Sequence, residues 1–303
     1  MALNERTDLA IGAEAVSPLR SDAMPHAAIL SGYIALLCLG KSDFEAINGF
    51  REDSYFAAAL GLDQVPSEGI VRQRMDANAA SYKTVVEEAA IEFLRRSGAR
   101  LTPLDNGLMP LDCDVTPFDN SQSKKEGVSR TYKGEDGYAP MAAYLGQEGY
   151  CLELELREGS QHCQKGTPEF LQRVLGRARQ LTATPLLLRL DSGNDAIENI
   201  AVVEAHNERD EQAARTDYLI KWNPRRESVE KWLAYAEEHG DWSAPRPGKR
   251  VALFDVVETR THDGYEYPLR RVMRVIERTI DKRGQLLLVP EVEIEGWWTS
   301  LVF

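Results

Sequence analysis

Cysteine is scarce and dispersed. The 303 residues carry four, Cys38, Cys113, Cys151 and Cys163, with no CxxC pair. That spacing argues against a zinc site built on paired thiolates and against a disulfide framework, and it fits reduced thiols in a cytosolic compartment. Basic charge is also short: Lys and Arg total 36 against 48 Asp and Glu, a formal net charge of −12. Bulk electrostatics therefore do not favour a polyanion, and a nucleic-acid role needs a local basic patch working against the global field. Long apolar runs are missing. The longest candidate, Ala27 to Leu39, is too short to span a bilayer. The amino-terminal Met-Ala-Leu-Asn-Glu-Arg-Thr-Asp lacks the charged-then-apolar layout of a signal peptide. No short-period repeat or low-complexity tract appears. What is present is an apolar fraction of 43%, enough for a real core in one large domain or two ordinary ones.

Two stretches carry chemistry. In Met109-Pro110-Leu111-Asp112-Cys113-Asp114-Val115-Thr116, strand alternation puts Asp112 and Asp114 on one face and Leu111, Cys113 and Val115 on the other. Downstream, Thr184-Pro185-Leu186-Leu187-Leu188-Arg189-Leu190 is an apolar run of the kind covered on both faces, and it ends in Asp191-Ser192-Gly193-Asn194. An aspartate just past the carboxyl end of such a strand sits where open α/β sheets place their ligand sites. Two strands that each deliver a carboxylate to one place can begin to hold a divalent cation. The plainer alternative is that Asp191 is a turn former or helix N-cap.

In chain order, residues 1 to about 25 read as an irregular lead-in. Helices follow over Pro25–Gly40, from Asp43 through Phe50, and over Ser54–Gly61. Ser67 is a plausible N-cap of a further helix that projects Arg72 and Arg74, a layout shared by helix-turn-helix DNA readers and by plain helical subdomains. A long helix continues over Ala77–Ser97 with Val85, Val86, Ala89, Ala90, Phe93 and Leu94 as its buried stripe. After Asp114, residues 117–138 form a Gly- and Ser-containing loop in which Lys124, Lys125, Arg130 and Lys133 cluster. Such a cluster is either a solvated loop or a phosphate contact beside the aspartates. A hairpin over Ala139–Leu145 and Tyr150–Arg157, a loop carrying His162, a helix over Pro168–Leu181 with Thr167 at its start, the Leu186 strand, a helix over Asp195–His206, a strand over Thr216–Trp222 and a helix over Ser228–His239 complete a mixed α/β core. The tail reads as antiparallel strands over Val251–Arg260, Tyr267–Ile280 and Gln285–Glu295, turning at His262-Asp263-Gly264 and Asp281-Lys282-Arg283-Gly284.

Taken together, Leu-Asp-Cys-Asp-Val-Thr-Pro-Phe-Asp-Asn, Lys-Lys-Glu-Gly-Val-Ser-Arg-Thr-Tyr-Lys-Gly, Asp-Gly-Tyr-Ala-Pro, Arg-Glu-Gly-Ser-Gln-His-Cys-Gln-Lys-Gly-Thr and Arg-Leu-Asp-Ser-Gly-Asn-Asp resemble bacterial insertion-sequence transposases of the DDE type. The branch they resemble is IS-thirteen-eighty, and the resemblance runs from about Leu36 to the last residue. It implies an RNase H-like α/β mixed-sheet core over 104–240, preceded by a helical, DNA-binding subdomain over 1–103 and followed by a β-rich insertion over 241–303. It implies that Asp114 and Asp191 are catalytic carboxylates binding Mg²⁺ or Mn²⁺, with Asp112 as a further ligand. The same resemblance implies DNA contacts at Lys124, Lys125, Arg130, Lys133, Arg72 and Arg74. The partners implied are DNA, in the form of terminal inverted repeats, and a second copy of the chain, at the bacterial nucleoid in the cytoplasm, with no membrane. In this family a glutamate on a helix after the insertion is the third carboxylate. Glu258, Glu291, Glu293 and Glu295 all fall on expected strands, so the sequence reads as truncated before that helix. The alternative function is a non-catalytic DNA-binding remnant.

Overall fold

The computed structural model describes residues 6–209 and 214–302. The start of the expected lead-in and the final residue, Phe303, lie outside them. The chain divides into two compact units, Met1–Arg100 and Leu101–Phe303.

The first unit is helical: α1 (Leu9–Glu14), α2 (His26–Cys38), a 3-10 segment over Phe44–Phe50, α3 (Ser54–Leu60) and α4 (Glu68–Ser97). Part of the expected lead-in is thus a helix, because Leu9 and Ala13 share one face and both are buried. Local signals set the ends. Asp53 accepts from the Tyr55 and Phe56 amides at 2.9 and 3.0 Å, and Ser67 caps α4 through the Ile70 amide at 3.4 Å. Gly61 and Gly98 close α3 and α4 in the left-handed region. The stretch bearing Arg72 and Arg74 does not end before the long helix; both belong to α4, which is kinked at Asn78. The buried residues along its second half are Tyr82, Ala89 and Ile91. Val86 and Ala90, expected in the stripe, are exposed, the apolar face having rotated toward Tyr82.

The second unit is built on a nine-stranded sheet. Its strands are β1 (Met109–Val115), then β2 (Phe118–Asp119), β3 (Ser129–Arg130) and β4 (Asp136–Tyr138), which form a small separate sheet, then β5 (Met141–Leu145), β6 (Tyr150–Glu155), β7 (Leu186–Leu190), β8 (Thr216–Lys221), β9 (Asp241–Arg246), β10 (Lys249–His262), β11 (Tyr265–Ile280) and β12 (Leu286–Thr299). The large sheet runs β6-β5-β1-β7-β8-β12-β11-β10-β9. β5 pairs antiparallel with both β1 and β6, whereas β7 is parallel to β1 and to β8. Five strands in the order 3-2-1-4-5, the first three antiparallel, match the RNase H-like core that the resemblance implies. The crossover helices are α5 (Thr167–Leu181), between β6 and β7, and α6 (Ile197–Arg209), between β7 and β8. α5 buries Phe170, Leu171, Val174, Leu175 and Ala178, while Arg173 and Arg177 reach back to the buried Glu153 on β6.

A last helix, α7 (Val229–His239), leads into the C-terminal strands, which continue the core sheet. β12 pairs with β8 through Trp297–Lys221 and Trp298–Ile220. β10 and β11 form a long ribbon closed by Asp263-Gly264, both at positive φ, the two-residue turn that suits the twist of a hairpin. β9 is a strand the sequence reading missed. Where ribbon meets core, Arg271 is 3% exposed and its guanidinium lies 4.6, 4.8 and 4.7 Å from the ring centres of Trp222, Trp232 and Trp298.

Candidate active site

On β1 the alternation holds: Leu111, Cys113 and Val115 are buried, Asp112 is half-buried and Asp114 is exposed. The parallel register pairs Cys113 with Leu190. One residue further on, the two adjacent strands run into Asp114 and Asp191, close enough for the Asp191 charge to be felt at the Asp114 carboxyl.

Asp191 is also the N-cap that its sequence context allows. Its Oδ1 accepts from the Gly193 amide at 3.1 Å and from Asn194 Nδ2 at 2.8 Å. Asn194 is wholly buried, and its carbonyl accepts from Asn199 Nδ2 at 2.8 Å. Gly193 passes so close to Cys163 that any side chain there would strike the sulfur. The Cys163 thiol donates to the Gly193 carbonyl at 2.8 Å. Asp114 accepts from the Val115 amide at 2.8 Å, again through Oδ1. Among the described residues, nothing bonds the Oδ2 atom of either aspartate. The N-cap and site readings of Asp191 are therefore compatible: one oxygen fixes the carboxylate and the other is open.

The local electrostatics suit a cation. Packing around the Asp114 carboxyl raises its pKa; the Val115 amide opposes this, the Asp191 carboxylate adds to it, and Lys133 opposes it. Two like charges held together in this way are relieved by a positive ion. Cys113, wholly buried behind them, has its thiol pKa raised by burial and then by Asp112 and Asp114.

Asp112 is placed differently. Both its oxygens accept from Arg189, its partner across the parallel ladder, at 2.5 and 2.7 Å. No group of three His, Cys, Asp or Glu residues able to hold a metal occurs among the described residues, so Asp112 does not complete the pair. The tail glutamates are committed to arginines: Glu258 to Arg260 and Arg271, Glu291 and Glu293 to Arg278, and Glu295 to Arg274.

The basic stretch after β1 is largely loop, tied together by the short strands of the sheet β2-β4-β3; Arg130 lies on β3, and Lys124, Lys125 and Lys133 lie between strands. Lys133 comes near enough to Asp114 to lower its pKa. Lys124 and Lys125 are exposed and free of ion pairs among the described residues, and Arg130 pairs with Asp136 at 3.6 Å. Two glycines seat this sheet. A methyl on Gly137 would run into the Phe118 carbonyl, and one on Gly159 would meet the carbonyls of Ser129 and Gly137. Gly137→Ala is expected to cost the small sheet about 1–3 kcal/mol. Hydrogen exchange should accelerate over 118–138 and stay unchanged in β1 and β7.

Sequence reasoning missed the support beneath the site. Arg157, 3% exposed, donates to the Cys163 carbonyl at 2.8 Å, to Thr167 Oγ1 at 3.2 Å and to Glu155 at 2.7 Å. It thereby pins the loop that carries Cys163. In the first unit, Arg72 pairs with Glu68 at 2.9 Å and lies over the Phe44 ring, while Arg74 is half-buried.

The second unit is a mixed α/β fold in which two adjacent parallel strands, β1 and β7, run into an aspartate each. The chain belongs to the family described as Transposase DDE domain group 1, which matches residues 13–231. That family generally uses divalent metal ions. No curated protein matches the chain. Among solved structures, a cryo-electron microscopy structure of a piggyBac transposase synaptic complex with hairpin DNA aligns at 10% identity and a TM-score of 0.35, over 99% of this chain and 58% of that one. The chain thus spans less than two thirds of the length of that relative. Among the described residues, no helix is long and apolar enough to cross a membrane.

Proposed function

We propose that this chain cleaves and joins DNA strands at the ends of an insertion sequence of the IS-thirteen-eighty branch, with Asp114 and Asp191 holding Mg²⁺ or Mn²⁺. The observation that carries the reading is the adjacency of these two carboxylates, each anchored by one oxygen and open at the other. A divalent ion bound there supplies Lewis-acid stabilisation of charge on the scissile phosphate and lowers the pKa of an attacking hydroxyl or water. The protein's own groups do the positioning. The Val115 amide orients Asp114, the Gly193 amide and Asn194 orient Asp191, and Lys133 brings a positive charge within reach of Asp114. Lys124, Lys125 and Arg130 contact phosphates from the small sheet, and Arg72 and Arg74 add contacts from the helical subdomain over 1–103. Residues 104–240 act as the catalytic core and 241–303 as the β-rich insertion. Inverted repeats present two equivalent ends, which fits two equivalent active sites and hence a homodimer on DNA at the bacterial nucleoid.

A second reading is a family member that grips DNA without cutting it. It is favoured by the lack of a third acidic ligand beside the pair among the described residues. Incubation of the full chain with supercoiled plasmid separates the two. The expected result is nicking with Mn²⁺ or Mg²⁺ that chelator abolishes. A salt-dependent gel shift with no cutting under either condition would select the second reading. No DNA binding at low salt would overturn both.

A further inference from the structure

The small sheet carries aromatic surface as well as positive charge. Phe118 on β2 is 53% exposed and Tyr132, in the turn between β3 and β4, is 73% exposed. Single exposed aromatics are ordinary; the surroundings of Tyr132 are not. Its turn is closed twice, by the Thr131 amide and hydroxyl on the Glu135 carbonyl at 2.8 and 2.9 Å and by the Gly134 amide on the Thr131 carbonyl at 3.0 Å. The ring is therefore held out on a fixed support, and its hydroxyl has no hydrogen-bond partner among the described residues. β2 and β4 anchor that support to the end of β1 that presents Asp114, and the next residue is Lys133. Burial raises the Tyr132 phenol pKa and the charges of Asp114, Asp191 and Cys163 add to it, so the ring lies within electrostatic reach of the two aspartates. No part of the core needs this side chain.

Cationic side chains interleaved with exposed aromatic rings are the surface that binds unpaired nucleic-acid strands, the cations following phosphates and the rings covering bases. Inside a duplex, bases are already stacked on each other, so their faces are not on offer. We infer that Tyr132 stacks on an unpaired base flanking the scissile phosphate, so that the preferred substrate is a frayed or single-stranded DNA end rather than continuous duplex. The inference rests on the DNA-cleaving reading above and adds the state of the substrate.

The test uses the full chain in chelator, so that nothing is cut, and a duplex with a short single-stranded overhang carrying 2-aminopurine. The wild type should quench the fluorophore and bind the overhang more tightly than the matching blunt duplex. Tyr132→Phe should retain both properties. Tyr132→Leu, which keeps bulk but not the ring face, should lose the quenching and weaken overhang binding about 5- to 150-fold. Tyr265→Leu, at an exposed tyrosine of the distant ribbon turn, should behave as wild type. Wild-type quenching and affinity in Tyr132→Leu, or equal wild-type affinity for blunt and overhanging DNA, would overturn the inference while leaving DNA cleavage standing. Failure of the wild type to bind either DNA would instead count against the functional reading itself.

Discussion

Asp191→Asn should lower metal-dependent nicking by about a thousandfold or more while leaving the fold intact. Asparagine keeps an oxygen where the Gly193 amide and Asn194 Nδ2 donate, so the cap survives. What goes is the charge and the open oxygen, replaced by an amide NH2 that donates hydrogen bonds and cannot ligate a cation. Thermal stability without metal should therefore stay within about 0.5 kcal/mol of wild type. Metal should separate the two proteins: at ten times its dissociation constant a single bound ion stabilises by about 1.4 kcal/mol. That corresponds to a rise of about 3–6 °C in the melting temperature of wild type, and to none in the variant. Asp114→Asn should also end cleavage, but with a second signature. The Asp114 carboxyl holds its proton more tightly folded than unfolded. Between the ordinary aspartate pKa of about 3.9 and its raised folded value, the unfolded state binds fewer protons, and stability falls as pH rises through that window. Asp114→Asn removes this loss, by less than about 1 kcal/mol for so exposed a carboxyl, and should flatten the acid limb of the stability profile. Unimpaired nicking by Asp191→Asn would sink the site.

Both aspartates were legible because period-two alternation and a terminal apolar run are local patterns, and β1 and β7 follow them closely. The five-strand order came from the resemblance and the pattern together. Other features had no local signal. β2, β3 and β4 are two or three residues long and lie in a polar, glycine-containing segment. They exist because Gly137 and Gly159 let distant backbones approach, which no periodicity announces. The pairing of Asp112 with Arg189 depends on a parallel register between residues 77 apart. Nothing local marks Arg157 for burial, which comes from the loop it holds through the Cys163 carbonyl. Residues 241–246, Asp-Trp-Ser-Ala-Pro-Arg, carry no strand pattern yet form an edge strand, the position where a proline is tolerated.

The largest stability loss in the second unit is expected at Arg271. Its ion pairs are long, 3.9 Å to Glu227 and 3.6 Å to Glu258, and its Nε has no partner among the described residues. Burial depresses the guanidinium pKa despite both glutamates. Removal from water therefore outweighs those ion pairs, and the three indole faces supply the rest of what keeps a charge there. Arg271→Ala leaves a void between Trp222, Trp232 and Trp298 at the junction of ribbon and core. It should cost about 3–5 kcal/mol, a drop of about 6–20 °C in the melting transition. Little of that cost should come from stranded carboxylates, because Glu258 keeps Arg260 and Glu227 keeps the Trp232 indole at 2.9 Å. Arg271→Met fills the space without a charge to desolvate and should stay within about 1.5 kcal/mol of wild type. Arg271→Lys keeps the charge but gives up the flat stacking surface, and should fall between the two. If methionine proved as damaging as alanine, the cation rather than the packed volume would be what joins the ribbon to the core sheet, and the ranking of lysine above methionine would follow from the same cause.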